Sequence, residues 1–291
     1  MTIGLSNGTA LLRVCALAFG LGSVTAYAAD PAVSDVNFKL SGFGGAVNEG
    51  SGNEGLGGIA GNLVLPLDHS LGLQLDGAFG RVGGGDFMAG GAHLFWRDPN
   101  VGLFGIYGGA SHVGLAGGMQ LQRFGIEAER YSGKISFDGA VGYETGDINN
   151  GIYGHAKVDY YWTPDLMTSS GFTYEGTALY SSAVEYQLRS DDSAGVSLYM
   201  NSDYHSSDIY EVLAGVKVSF GKKMSLMDRH RRQDPASYLD VDVWNYLVNA
   251  QPKSAAICDA GPGPYVVGAC TCPAFTGTVP LPGGQFLCDN T

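Results

Sequence analysis

Residues 210–220, Tyr-Glu-Val-Leu-Ala-Gly-Val-Lys-Val-Ser-Phe, alternate between two kinds of position. The even-numbered places are apolar from Tyr210 to Phe220, and Glu211 and Lys217 lie between them. Successive side chains of a β-strand point to opposite faces, so this spacing predicts a strand with one apolar and one polar face. Residues 135–144, Ile-Ser-Phe-Asp-Gly-Ala-Val-Gly-Tyr-Glu, show the same alternation.

The same rule predicts twelve strands between residues 38 and 220. Most of them have nine to thirteen residues, which brackets the roughly 9 to 11 that a tilted transmembrane strand needs. The predicted strands are 38–47, 56–67, 71–82, 86–96, 101–113, 119–131, 133–145, 151–162, 168–176, 178–188, 195–204 and 209–220. The alternative is an exported soluble sandwich or lipocalin-like barrel, in which the apolar face points inward.

The composition agrees with a membrane barrel and excludes other classes. The chain has 291 residues, of which 46 are glycine, and 15% are charged and 11% aromatic. A disordered chain would lack the aromatic residues, collagen would need a three-residue glycine period, and a coiled coil would need heptads. Few charges with many glycines and tyrosines suit strands that alternate between lipid and a polar lumen.

The first 28 residues predict a secretory signal peptide. Arg13 is their only charge, residues 14–24 are mostly apolar, and Ala26 and Ala28 stand at the minus-three and minus-one positions for cleavage after Ala28. The alternative, an anchor helix, is too short to span the roughly 30 Å core of a bilayer. Cleavage leaves 15 bases and 28 acids, so nucleic-acid binding, which needs a basic face, is not expected.

These features together resemble the small porin-like outer-membrane β-barrels of Gram-negative bacteria. The resemblance covers residues 38–221 and rests on the signal peptide, the two-residue repeat, the glycine and tyrosine content and the strand that ends at Phe220. It implies an all-β, twelve-stranded antiparallel transmembrane β-barrel over residues 29–221, in contact with outer-membrane lipid. Those proteins usually end at the last aromatic strand, whereas this chain continues for about seventy residues.

Connections at the two barrel ends give the expected orientation. The turns that would face the periplasm are short and rich in Asp, Asn, Pro and Ser, whereas outer loops such as residues 48–55 look longer. With twelve strands, both ends of the barrel segment lie on the periplasmic side.

Charged residues on the polar face of the strands are expected to line the lumen. The expected acids are Asp76, Glu127, Glu129, Asp138, Glu144, Asp159, Glu175, Glu185, Asp203 and Glu211, and the expected bases are Lys39, Arg123, Lys134, Lys157 and Lys217. The acid excess predicts a narrow, weakly cation-preferring passive channel for small cationic or neutral solutes. The alternative is a lumen sealed by paired charges, in a structural or interaction barrel.

The sequence gives no sign of an enzyme. Ser111 and His112 are adjacent on a strand and point to opposite faces, and His205 lies among Ser and Asp residues typical of a turn. The other histidines are scattered singly. No phosphate loop, dinucleotide fingerprint or His-Glu-x-x-His motif occurs, so neither a cofactor nor a metal is expected.

Residues 222–257 are predicted to form a basic linker and a short helix. The linker carries the bases Lys222, Lys223, Arg229, Arg231 and Arg232, and Asp234-Pro235 predicts a helix from residue 235 to about 249. The bases could contact anionic lipid headgroups or cell-wall polymer, or simply keep a linker solvated. Because the lumen has an acid excess, we expect this segment to cap the periplasmic mouth, with the helix packed across it.

The last segment, residues 258–291, is rich in glycine and proline and contains four cysteines. An even number of cysteines in an exported, loop-rich segment predicts two disulfides, and a zinc site is the alternative. We expect this tail in the periplasm, where it could dock an envelope partner. The cysteines are Cys258, Cys270, Cys272 and Cys288.

Overall fold

The computed structural model describes most of the chain between residues 30 and 235. The described residues are 30–48, 53–114, 119–147, 150–176, 178–205 and 209–235, together with the backbone of 258–259, 277–281 and 285–289. The predicted signal peptide, residues 1–28, lies outside these ranges.

Twelve strands form one closed antiparallel barrel, which confirms the predicted fold class. Each strand pairs with its neighbours in the sequence, and β1 pairs with β12. The strands are β1 (Asn37–Asn48), β2 (Asn53–Pro66), β3 (Leu71–Val82), β4 (Gly85–Asp98), β5 (Gly102–Val113), β6 (Met119–Ser132), β7 (Ile135–Gly146), β8 (Gly151–Thr163), β9 (Leu166–Tyr174), β10 (Ala178–Ser190), β11 (Ala194–His205) and β12 (Ile209–Phe220).

The barrel closes through eleven paired positions between β1 and β12, from Phe38 opposite Phe220 to Asn48 opposite Tyr210. We call the end at which β1 begins and β12 ends the proximal end, and the opposite end the distal end. Connections at both ends contain only about two to five residues between consecutive strands. The expected difference in loop length is therefore absent: β1 and β2 extend into the predicted outer loop at 48–55.

Large apolar side chains cover the outside of the barrel, as contact with hydrocarbon requires. Phe79, Phe104, Ile106 and Phe124 are each more than half exposed although the barrel is fully folded. Exposed aromatic side chains also mark both ends, as in the aromatic belts of membrane proteins. They include Phe38, Trp96, Tyr160, Trp162, Tyr186 and Phe220 near the proximal end and Tyr143, Tyr174, Tyr180, Tyr204 and Tyr210 near the distal end.

Inward-facing side chains are not all polar. At the distal end a buried apolar cluster extends inward from β1 to β6 and from β11 and β12. Its members are Val47, Leu56, Ala78, Val82, Phe87, Val113, Leu121, Tyr199 and Leu213. This cluster fills the distal lumen on one side of the barrel, so any open space must lie on the other side, along β7–β11.

The basic linker itself forms a helix, α1 (Leu226–Arg232), with Ser225 as N-cap. The helix that the sequence predicted after Asp234, at 235–249, lies outside the described residues except Pro235 and stays a prediction. From the sequence alone, a run of basic residues is typical of a solvated linker. In the structure, the barrel wall provides the contacts that hold this run as a helix. No helix in the described ranges is long and apolar enough to cross a membrane.

Three short strands of the tail, β13 (Cys258–Asp259), β14 (Gly277–Leu281) and β15 (Gln285–Asp289), pair as a small antiparallel sheet. Cys270 and Cys272, and the side chains of Cys258 and Cys288, lie outside the described part of the chain. The two disulfides therefore stay a prediction.

Candidate functional site

The barrel interior contains fourteen of the fifteen charged residues that the sequence predicted for the lumen. Nine of them are buried at inward positions: Asp76, Arg123, Glu127, Asp138, Glu144, Asp159, Glu175, Glu185 and Glu211. Five more, Lys39, Glu129, Lys157, Asp203 and Lys217, line a central cavity. The fifteenth, Lys134, lies instead in the exposed turn before β7, where its ammonium donates to the carbonyl of Trp162 at 3.1 Å.

Histidines that looked isolated in the sequence join these carboxylates. His93 on β4 lies between two buried acids, with Nε2 3.1 Å from Asp76 Oδ2 and Nδ1 2.9 Å from Glu127 Oε2. Its ring stacks on Tyr107 at 5.6 Å between centroids, and Gln74 donates to Asp76 Oδ1 at 3.0 Å. The set braces four neighbouring strands, β3 to β6, across the lumen wall.

Two further polar groups brace the adjoining part of the wall, from β6 to β9. His155 lies 3.1 Å from Asp138 Oδ1 through Nε2 and 2.8 Å from Thr173 Oγ1 through Nδ1. Near the distal end, Arg123 Nη2 contacts both Glu144 at 3.1 Å and Glu175 at 2.7 Å. Charges buried without such partners would be costly, so the pairing explains how this interior tolerates them.

A polar cavity of about 170 Å³ occupies the part of the lumen that the apolar cluster leaves open. It extends from Asp234 and Pro235 at the proximal end to Asn201 and Asp203, close to the distal end of β11. The space exists because the inward side chains of β9 and β10 are small, among them Ser169, Ser181 and Ala183. Water molecules fit a polar cavity of this size.

Charges of both signs line the cavity. Six carboxylates face four Lys and Arg side chains, in addition to His155 and His230. The carboxylates are Glu129, Asp138, Asp159, Glu185, Asp203 and Asp234, and the bases are Lys39, Lys157, Lys217 and Arg231. Lys217 Nζ lies 2.7 Å from Glu185 Oε2 and 4.5 Å from the centre of the Tyr199 ring.

Two chain segments, residues 30–36 and 222–235, fold back over the proximal end, and we call them together the plug. In the second segment, Leu226 is 1% exposed and packs on Tyr161 and Met167 from the barrel wall. Arg229 is also buried, and it fits because Gly195 has no side chain: a Cβ there would lie 2.7 Å from Arg229 Nη2.

Backbone groups also hold α1 against the wall. Met227 N donates to the carbonyl of Pro164 at 3.0 Å, and Gln187 Nε2 donates to the carbonyl of Met224 at 3.0 Å. Pro164 and Gln187 lie beside the two strand irregularities of the barrel, at 161/163 between β8 and β9 and at 187/189 between β10 and β11. Bulges redirect a strand edge, and here they flank the docked helix.

The first plug segment packs on the other half of the proximal end. Val33 is 2% exposed in a cluster with Val64, Phe95 and Leu103. Gly72 leaves the room for it, since a Cβ at that position would lie 2.7 Å from Val33 Cγ2. The two segments join where Ser34 N donates to the carbonyl of Arg232 at 3.1 Å.

The five bases predicted to cap the mouth lie at different depths in the plug. Arg229 and Arg231 enter the barrel end, and Arg232 Nη1 lies 2.6 Å from Asp30 Oδ2. Lys222 pairs with Asp35 at 2.6 Å on the surface, and Lys223 is exposed.

Burial and neighbouring charges both shift the pKa values of titratable groups in the plug. Burial by itself would raise the pKa of the Asp234 carboxyl. The charge and hydrogen bond of the ion-paired Lys39, together with the charges of His230 and Arg97, outweigh burial and bring the pKa to about 2. Burial lowers the pKa of the His230 imidazole, against the influence of Glu185 and Asp234. The hydrogen bond and charge of Arg232 lower the pKa of Asp30.

Sequence reasoning missed the pairings of His93 and His155, the plug segment at 30–36 and the role of Asp234. The sequence contained one signal for these two histidines. The alternation along residues 86–96 and 151–162 places both His93 and His155 on the inward face of their strands. The candidate pair Ser111 and His112 is split as expected, with Ser111 buried inside and His112 on the outer face. Within the described ranges no group of three His, Cys, Asp or Glu side chains could hold a metal ion.

Comparison with known proteins finds similarity in structure only. No protein-family model matches the sequence, and no curated protein matches it significantly. The structure is similar to a solved KdgM porin (TM-score 0.45, 12% identity, 62% of this chain and 98% of that one). It is also similar to an outer membrane channel from Pseudomonas putida F1 (TM-score 0.47, 12% identity, 68% of this chain and 99% of that one). A third similar structure is outer membrane protein Omp33 from Acinetobacter baumannii (TM-score 0.41, 10% identity, 65% of this chain and 99% of that one).

Proposed function

We propose that the protein is a porin-like barrel of the Gram-negative outer membrane, a narrow passive channel for small solutes whose periplasmic mouth is closed by the plug. One observation carries the proposal: a polar cavity reaches from the plug almost to the distal end, through a barrel whose outside is apolar. A purely structural barrel has no need of a row of small inward residues on β9 and β10.

The proposal includes a weak preference for cations. The cavity wall has six carboxylates against four Lys and Arg side chains, and rings of acidic side chains favour cations in pores. Because most of these charges are paired, we expect the preference to be small. The same proposal places the proximal end, the plug and the tail in the periplasm. An even number of strands brings both ends of the barrel segment to one side, and we assign that side to the periplasm, as expected from the sequence.

The test is conductance in a planar bilayer, with the full-length protein and a chain that lacks residues 222–291. We expect rare openings from the full-length protein and larger, longer openings from the truncated one, with a modest cation preference in the reversal potential of a salt gradient. Equal conductance of the two proteins would mean that α1 does not close the pathway.

The second candidate is a non-conducting structural or interaction barrel whose tail docks an envelope partner. The inward apolar cluster around Val47, Phe87 and Leu213 favours it, since this cluster fills part of the distal lumen. Absence of conductance from both proteins, each folded as a barrel on a gel without boiling, would favour this candidate over the channel.

A further inference from the structure

Arg231 of the plug enters a pocket in the barrel wall at the proximal ends of β6, β7 and β8. Its Nη2 donates to the carbonyls of Gly133 and Ile135, both at 3.0 Å, and its Nε donates to Ser136 Oγ at 3.2 Å. Every one of these acceptors belongs to the wall. The wall therefore presents three oxygens in the arrangement that a planar guanidinium requires.

Two tyrosine rings complete the pocket. The guanidinium carbon of Arg231 lies 5.2 Å from the centre of the Tyr131 ring and 5.5 Å from that of Tyr161. Both rings belong to the wall and are buried in the plugged state. The Tyr131 hydroxyl donates to Glu129 Oε2 at 2.5 Å, which adds electron density to the ring and strengthens its attraction for a cation.

The neighbouring arginine is bound in a different way. Arg232 pairs with two carboxylates, Asp30 at 2.6 Å and Asp228 at 3.6 Å, and both belong to the plug. Among the described residues, Arg231 has no carboxylate within ion-pair distance. Its partners are the rings and neutral oxygens of the wall, which would stay in place if the plug moved away.

We propose that this pocket is a guanidinium-binding subsite of the channel, and that Arg231 occupies it in place of a solute. The ligand class is a small cation that carries a guanidinium group. An ammonium lacks the planar fork that reaches both carbonyls and the Ser136 hydroxyl while stacking on the rings, so it binds more weakly. A guanidinium solute that competes for the pocket loosens the plug and thereby opens the pathway; the opening rests on the proposed channel function, whereas the pocket and the loosening do not.

The first experiment measures binding of ¹³C-labelled guanidinium to the full-length protein by ligand-observed NMR. The variant Arg231→Ala, which vacates the pocket, should bind at least five times more guanidinium than the wild type at equal concentration. Arg232→Ala is the matched control, because it removes the same charge from the same helix and leaves Arg231 in place. Adding Tyr161→Leu to Arg231→Ala should abolish the gain, and methylammonium should not displace the bound guanidinium. Equal binding by Arg231→Ala and Arg232→Ala overturns the pocket.

The second experiment uses the wild type, so it decides the matter even if Arg231→Ala does not fold. Guanidinium that binds only the released state multiplies the population of that state by one plus its concentration over its Kd. At five times the Kd, hydrogen exchange of the 226–232 amides should accelerate about six-fold, while amides of β12 and samples with methylammonium or sodium chloride stay unchanged. Unchanged exchange in α1 overturns the pocket.

Conductance separates this proposal from the channel. Faster exchange together with a higher open probability in guanidinium supports both. Faster exchange in a protein that never conducts supports the guanidinium pocket and contradicts the channel. Conductance without guanidinium binding and without faster exchange supports the channel and contradicts the pocket.

Discussion

Replacing Asp234 with asparagine should release the plug. Asp234 is 6% exposed and ion-paired with Lys39 of β1, which joins the C-terminal plug segment to the first strand. Asparagine keeps the shape of the side chain and removes its charge. It also leaves the Lys39 ammonium, whose side chain is 20% exposed, without that partner.

The size of the effect follows from the pKa of the carboxyl. Burial alone would raise it, but chiefly Lys39, and after it His230, lower the pKa from an ordinary 3.8 to about 2. One pKa unit corresponds to about 1.4 kcal/mol, so the ionised carboxylate stabilises the plugged state by at most about 2.5 kcal/mol near neutral pH, where His230 is uncharged. The released population should therefore rise by up to about 60-fold in Asp234→Asn.

The pH dependence of plug release tests the direction of this effect. A carboxyl whose pKa is lower in the plugged state stabilises that state above about pH 4, and the contribution disappears as the pH falls from about 4 to about 2. The wild type should thus approach the behaviour of Asp234→Asn at the acid end of this range.

Hydrogen exchange of the 226–232 amides measures the released population directly, and open probability in a bilayer gives a second reading. Asp228→Asn is the control: its carboxylate is 47% exposed and pairs with Arg232 at 3.6 Å, so its loss should change exchange by a few-fold at most. If Asp234→Asn exchanges within about three-fold of the wild type at pH 7, the Lys39–Asp234 pair does not hold the plug and the reasoning fails.

Three further perturbations test other parts of the structure. Burial lowers the pKa of His230 in the plugged state, so the released state binds more protons below the ordinary pKa of about 6.5. Hydrogen exchange of the α1 amides should therefore accelerate as the pH falls below about 6.5, and His230→Gln should remove most of that acceleration. The groups around His230 are Tyr161, Glu185, Lys217, Asp159 and Asp234, so a rise that persists in His230→Gln would point to the carboxylates instead. Leu226→Ala should cost about 2 kcal/mol or more and accelerate exchange roughly 30-fold, whereas Met227→Ala, at a half-buried position, should have a smaller effect. Arg123→Met leaves two buried carboxylates without their shared partner, so it should cost about 3–5 kcal/mol and lower the temperature at which the folded gel band disappears; an unchanged temperature would refute the role of that bridge.

Much of the barrel could be predicted because its signal is local. Alternation such as that from Tyr210 to Phe220 assigns each side chain to a face without knowledge of any other strand. The predicted bounds of strands 71–82, 151–162 and 209–220 therefore differ from the structure by at most one residue. The prediction for Lys134 was wrong because strand ends depend on the turn: β7 begins at Ile135, two residues later than predicted, so Lys134 belongs to the turn.

The interior pairings could not be predicted, because they depend on register. His93 lies opposite Gln74 of β3 and Tyr107 of β5. Because of this register, its ring reaches Asp76 diagonally on β3 and Glu127 beyond β5, on β6. Scattered histidines in the sequence therefore become shared partners of acids in the folded barrel.

The sequence by itself determined the strands, their number and, with the exception of Lys134, which of the predicted charges face inward, because a period of two is a property of neighbouring residues. Only the tertiary structure decided how the lumen is used. Barrel closure brings β1 beside β12, so Lys39 and Asp234 meet although 195 residues separate them. The plug, the cavity and the Arg231 pocket all depend on such distant contacts. Their energies come from burial and charge pairing that exist only after the barrel has closed.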